Sequence, residues 1–247
     1  MDRQLRSLGL AYERVSAVDG RTLDPAYVAR FPPMAPSQIG CFLSHRTAWQ
    51  RIAGGDSPYG IVLEDDIHIA AAFAQFALAT DWIPPDAGIM KFDTDLWQAS
   101  VDKTPHATWY GSALRRMRSF HPGAGAYVLS ADAARLLLST HAEPTEPADD
   151  ALFYVEEPWR HLPPAYHLDP AVCIQDAVIP QPQDPRLASV QEIKRRRHKS
   201  LVHRTVRETR RLYRWFAAGE AAAAAAIGAR PPFTRKVVPF EGGKRLP

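Results

Sequence analysis

The sequence predicts an α/β domain over residues 1–180, followed by a basic helical extension and tail over 181–247. Three observations predict it. Short apolar runs of strand-forming residues, Ile61–Leu63 and Gly88–Phe92, alternate with helical segments. The first run stops abruptly in Glu64-Asp65-Asp66, as a strand does where an open α/β sheet binds a ligand at its carboxyl end. A dense Lys/Arg run then follows Gln191 and sets the rest of the chain apart.

A chain of 247 residues suits one such domain with an appendage and can bury a real core. With 46% apolar residues it is not a disordered chain. No window approaches the ~20 apolar residues a membrane-spanning helix needs. Met1-Asp2-Arg3-Gln4 offers no apolar signal segment, and Cys41 and Cys173 make neither a disulfide framework nor a metal-ligand spacing. A cytoplasmic location is therefore expected. The net charge of +3 hides an asymmetry, with the carboxylates in the first two thirds and the cations in the last.

Arg3–Leu10 reads as a helix ending at Gly9, and Tyr12–Val18 alternates like a strand before the Asp19-Gly20 turn. Ser37–Ile52 reads as a helix with Ile39, Phe42, Leu43, Trp49 and Ile52 on its apolar face, and it carries Ser44 and His45. After the Gly54–Pro58 break, Ile61-Val62-Leu63 suits a strand covered on both faces. Along a strand Glu64 and Asp66 point the same way and Asp65 the other, so two hard oxygen ligands share one side. Such a pair suits Mg²⁺ or Mn²⁺; an acidic turn or a cap for a helix over Ala70–Ala79 is the plainer reading.

Gly88–Phe92 is a second strand and ends in Asp93-Thr94-Asp95, a rival carboxylate pair ranked second for its weaker apolar lead-in. Thr108–Tyr110 and Met117–Phe120 form a hairpin about Gly111-Ser112. Gly123-Ala124-Gly125 approaches a strand over Ala126–Leu129, and Ser130 caps a helix over Ala131–Thr140. Asp149 and Asp150 precede an apolar run, where a helix cap with a first-turn acid is the plain alternative. Tyr166–Pro170 reads as a loop and Ala171–Gln175 as the final strand. A basic helix is expected over about Val190–Phe216, and a poorly ordered tail after Ala221–Ala226.

Five of these pieces, in this order, resemble glycosyltransferase family 25, the bacterial lipopolysaccharide and lipooligosaccharide galactosyltransferase-like enzymes. They are Ala17-Val18-Asp19-Gly20-Arg21, Ile39 through Ser44-His45, Val62-Leu63-Glu64-Asp65-Asp66, Gly123 through Tyr127 to Ser130, and Pro147-Ala148-Asp149. The resemblance implies a GT-A-like, Rossmann-like nucleotide-sugar domain with a mixed central sheet. It further implies a UDP-sugar donor, a saccharide acceptor and inversion at the anomeric carbon. The chain departs from the family in two places: the family's first strand is expected to be missing, and Gly123-Ala124 stands where Gly-Thr is common.

On the resemblance, Asp66 and Glu64 are expected to hold Mn²⁺ or Mg²⁺, which stabilises the leaving nucleotide diphosphate. Asp65 or Glu64 would engage the ribose or a metal-bound water. Inverting transfer needs a base to take the acceptor's proton, for which Asp149 is the first choice and Asp150 the second. Asp19, Ser44, His45 and Gly123 are assigned to the donor side; Ser44 and His45 could equally hold their helix against the sheet. The acceptor would be lipid-linked or an oligosaccharide. The basic helix could lie on an anionic membrane surface, placing the enzyme on the inner face of the cytoplasmic membrane, or be a solvated helix packed on the domain. Nucleic acid is not expected as a partner. A metal-dependent phosphohydrolase or nuclease on the same acids, and a non-catalytic saccharide- or membrane-binding protein, are the competing readings.

Overall fold

The computed structural model describes residues 1–155, 162–179 and 232–241. Helix α1 (Asp2–Ser7) ends before Gly9, whose φ of +67° is a left-handed turn that glycine adopts without strain. Tyr12–Val18 is largely exposed and pairs with no described strand, unlike the expected β-strand. The backbone N–H of Val18 donates instead to Ser44 Oγ at 2.9 Å. A short helix α2 (Pro25–Val28) leads to the long α3 (Pro36–Gly54).

Strand β1 (Tyr59–Leu63) follows, then β2 (Ile67–Ile69), α4 (Phe73–Ala77), β3 (Ile89–Lys91), β4 (Asp93–Thr94) and β5 (Gln98–Asp102). Next come the hairpin β6 (Ala107–Trp109) and β7 (Ser112–Arg116), β8 (Ala126–Ser130), α5 (Ala131–Thr140) and α6 (Ala148–Phe153). The described elements close with β9 (Ala165–Asp169), β10 (Cys173–Gln175) and β11 (Phe233–Val237). The main sheet runs β1-β8-β3-β9-β7-β6 and is mixed, since β3 and β9 are parallel and the other pairs antiparallel. A mixed α/β architecture thus matches the coarse expectation.

Side chains alternate across β3 and β8. Met90, Ala126 and Val128 pack into one core with Leu5 of α1 and Phe73 and Phe76 of α4. Ile89, Tyr127 and Leu129 pack into the other with Phe42 and Trp49 of α3, Leu137 of α5 and Phe153 of α6. The sheet therefore lies between two helical layers, and only its central strands are covered on both faces. Strand β1 is at the edge and leaves Ile61 exposed, contrary to the expectation of a strand buried on both sides.

Four further corrections follow. The hairpin turns at Tyr110-Gly111, both at positive φ, so its second strand starts at Ser112 and not at Met117. The expected helix over Ala70–Ala79 is shorter, running only over Phe73–Ala77, and Ala70 N–H donates instead to Val172 O at 2.9 Å. The expected loop Tyr166–Pro170 is β9, a central strand with every residue buried. Its polar side chains are accommodated: the Asp169 carboxylate accepts from Arg115 at 2.8 Å and Lys236 at 2.6 Å. Within the tail expected to be poorly ordered, β11 pairs along its whole length with β5, and Val238 is fully buried. The basic helix expected over 190–216, and the domain boundary at 180, lie outside the described residues.

Candidate functional site

At the carboxyl end of β1 the chain turns through Glu64-Asp65-Asp66 into β2. Two backbone bonds fix this turn: Glu64 N–H donates to Gly125 O at 2.8 Å, and Asp176 N–H donates to Asp66 O at 2.8 Å. All three carboxylates line one broad cleft. At ≈ 2600 Å³ it exceeds the ~300–1,000 Å³ of ordinary small-molecule pockets.

Glu64 is held from two sides. Its Oε2 accepts from Gln175 Nε2 at 2.6 Å, and its Oε1 lies 3.1 Å from His45 Nε2. His45 is buried, and its Nδ1 lies 2.9 Å from Tyr127 Oη, which also accepts the Trp49 indole N–H at 2.9 Å. Burial works against a charge on His45. Tyr127, Cys41 and Glu64 outweigh it and carry the imidazole well above its ordinary pKa. Asp66 is partly buried; burial first, and then the Glu64 charge, push its carboxyl up to about 6. Its Oδ1 is buried without a hydrogen-bond partner. A buried carboxylate oxygen in that state fits a cation ligand, because a cation supplies both the missing charge and the missing contact. Asp65 is exposed at the tip of the turn.

Asp149 and Asp150 occupy the first turn of α6 and line the same cleft. Asp149 Oδ2 accepts from Gly123 N–H at 3.1 Å. Gly123 has a φ of +86°, which favours glycine, and a Cβ there would stand in a tight contact 3.1 Å from Asp93 Oδ2. The structure therefore brings Glu64, Asp65, Asp66, His45, Gly123, Asp149 and Asp150 to one cleft.

Two assigned residues are engaged elsewhere. Asp19 caps the 3-10 turn Gly20–Thr22 and chelates its neighbour Arg21 at 2.7 Å, which holds its carboxyl down at about 2; it does not line the cleft. Ser44 reaches the cleft wall, but its hydroxyl donates to Gly40 O at 2.7 Å and accepts from Val18 N–H. It ties α3 to the preceding segment.

The rival motif Asp93-Thr94-Asp95 acts as a support. Asp93 is fully buried 2.9 Å from Lys91 Nζ, which also donates to Gly123 O and stands 4.4 Å from the Phe153 ring. Thr94 Oγ1 donates to Val238 O at 2.7 Å, and Asp95 lies 3.0 Å from the buried His121. Three further residues shape the site: Tyr127 and Gln175, whose contacts cross many residues of sequence, and Cys41, one helical turn before His45.

Comparison with known proteins places these features in context. The family model described as glycosyltransferase family 25 (LPS biosynthesis protein) matches residues 1–152, which include every cleft carboxylate named above. The lacto-N-neotetraose biosynthesis glycosyltransferase LgtB of Neisseria gonorrhoeae is 27% identical over 154 residues, covering 59% of this chain and 55% of that protein. The lipooligosaccharide biosynthesis protein lic2B of Haemophilus influenzae is 25% identical over 185 residues, 71% of this chain and 67% of its own. A glycosyltransferase 25 family member of Drosophila pseudoobscura pseudoobscura is 29% identical over 179 residues, 62% of this chain and 26% of its own. The chain thus spans about half the length of the Neisseria relatives it matches.

Proposed function

The chain belongs to glycosyltransferase family 25, and from that membership we propose that it is a metal-dependent inverting hexosyltransferase. The donor is a UDP-sugar, UDP-galactose in the first instance, and the acceptor a lipid-linked or free oligosaccharide of lipopolysaccharide or another cell-surface glycan. The roles named for LgtB and lic2B, in lacto-N-neotetraose and lipooligosaccharide biosynthesis, support that acceptor class. The proposed fold assignment is GT-A, and the proposed location is cytoplasmic with peripheral membrane contact. Among the described residues no helix is long and apolar enough to cross a membrane.

The observation that carries the reading is that Asp66, with its partnerless buried oxygen, shares one cleft with Glu64 and Asp149. Asp66 and Glu64 would hold Mn²⁺ or Mg²⁺. When bound, that cation neutralises the charge developing on the departing nucleotide diphosphate. Gln175 and His45 fix the Glu64 carboxylate, so it is oriented before any ligand arrives. Gly123 N–H steadies one oxygen of Asp149, and the carboxylate takes the proton of the acceptor hydroxyl as the new glycosidic bond forms. Asp65 faces the ribose, and Asp150 stands as the alternative base.

Incubation of the full chain with UDP-galactose, Mn²⁺ and a panel of oligosaccharides tests this. The expected result is UDP release together with an acceptor heavier by one hexose. Hydrolysis of simple phosphoesters with every UDP-sugar left intact would overturn it.

A further inference from the structure

Helix α3 places Cys41 and His45 four residues apart, on one face. That face meets Glu64 as it leaves β1: His45 Nε2 lies 3.1 Å and Cys41 Sγ 3.8 Å from Glu64 Oε1. One ligand atom from each of the three lies within 4.8 Å of the other two. A tetrahedral Zn²⁺ with its usual bond lengths would set nitrogen and oxygen ligands roughly 3.4 Å apart, and sulfur and oxygen ligands roughly 3.6 Å apart. The observed separations differ from these by a few tenths of an ångström.

We propose that Cys41, His45 and Glu64 form a binding site for a thiophilic divalent cation of the Zn²⁺ class. Thiolate and imidazole select Zn²⁺ over Mg²⁺ and Mn²⁺, so this site differs in kind from the oxygen-only pair of Glu64 and Asp66. Its supports are already in place. Tyr127 Oη, itself fixed by Trp49, sits on the His45 nitrogen that points away from Glu64, and Gln175 orients the Glu64 carboxylate. Partners of this kind set ring orientation and ligand basicity at zinc centres. The cation binds between His45 Nε2 and Glu64 Oε1 in place of the proton held there, with Cys41 as its thiolate, and the protons from His45 and Cys41 are released to solvent. Three protein ligands leave a fourth position, and all three residues line the cleft. Because Glu64 serves both sites, Zn²⁺ inhibits Mn²⁺-dependent transfer; this consequence alone rests on the transferase reading.

The test uses the full chain stripped of metal by chelation and titrated with Co²⁺, then with Zn²⁺. A thiolate-to-cobalt charge-transfer band is expected, discharged by one equivalent of Zn²⁺. Cys41→Ser, a conservative change at an exposed residue, should abolish the band and weaken Zn²⁺ binding by more than about tenfold; Tyr127→Phe should weaken it by roughly tenfold. Asp66→Asn should leave the band in place. No band in the wild type, or a band and Zn²⁺ affinity unchanged in Cys41→Ser, overturns the site. If the chain transfers no sugar under any condition but shows the Cys41-dependent band, the transferase reading fails and the cation site stands.

Discussion

Asp66→Asn separates a functional carboxylate from a stabilising one. In the folded chain burial and Glu64 raise the Asp66 carboxyl from 3.8 to about 6. A raised carboxyl pKa means that its charge opposes folding above pH 6, and that the penalty is relieved as pH falls through about 6 toward the ordinary value. A shift of about two units corresponds to roughly 3 kcal/mol at pH 7.5, or about 2 kcal/mol allowing for solvent screening of a partly buried group. Asparagine keeps the shape and removes the charge. The metal-free variant should therefore melt roughly 4–8 °C above the wild type at pH 7.5. That advantage should shrink by about half at pH 5, where the wild-type carboxyl is mostly protonated in the folded state. The same variant should transfer no sugar and gain nothing from Mn²⁺. Scanning calorimetry with a chelator at both pH values supplies the measurement. A variant less stable than the wild type at pH 7.5 would refute the electrostatic argument, and an active one would refute the metal assignment.

Asp149→Asn should abolish transfer while leaving any donor-induced rise in melting temperature intact, since it removes the base and not the donor site; loss of both would place Asp149 in donor binding. Gly40→Ala should cost about 1–3 kcal/mol in urea unfolding, because its Cβ would meet Val18 O at 2.5 Å and Gly20 N at 2.8 Å, both backbone atoms. Lys91→Met should cost about 3–5 kcal/mol by the same measurement, leaving the Asp93 charge buried without its partner. A near-neutral Lys91→Met would refute a stabilising role for this ion pair.

What the sequence made legible was local. The apolar run stopping at Glu64 gave β1 and its acidic turn, and the Ser130 cap gave the start of α5, where the hydroxyl accepts from Ala133 N–H at 3.1 Å. The signals that failed depend on partners far away in sequence. Strand β9 reads as a loop because His167, Asp169 and Pro170 break its apolar pattern. Only the fold supplies Arg115 and Lys236 to Asp169. Tyr127 and Gln175 carry no local mark, since each reaches the site across a long stretch of chain. Cys41 stands four residues before His45 on a helix, a spacing that puts both on one face, but two distant cysteines give no cysteine-pair pattern. Asp19 matched its motif and still lies outside the cleft, because a capping aspartate followed by arginine accounts for itself locally. The tail strand β11 was hidden in a Pro/Lys/Arg-rich sequence and becomes a strand only because β5 offers it an edge.

The central claim is that Glu64 and Asp66 form a metal-assisted UDP-sugar site. The most direct measurement is the melting temperature with UDP, UDP-galactose, UDP-glucose and UDP-N-acetylglucosamine, each with and without Mn²⁺. A ligand at 100 times its dissociation constant adds about 2.7 kcal/mol, a rise readily resolved, and no acceptor is needed. The account predicts a rise with one UDP-sugar that requires Mn²⁺ and vanishes in Asp66→Asn. A rise that is independent of metal, or that survives in Asp66→Asn, would contradict it.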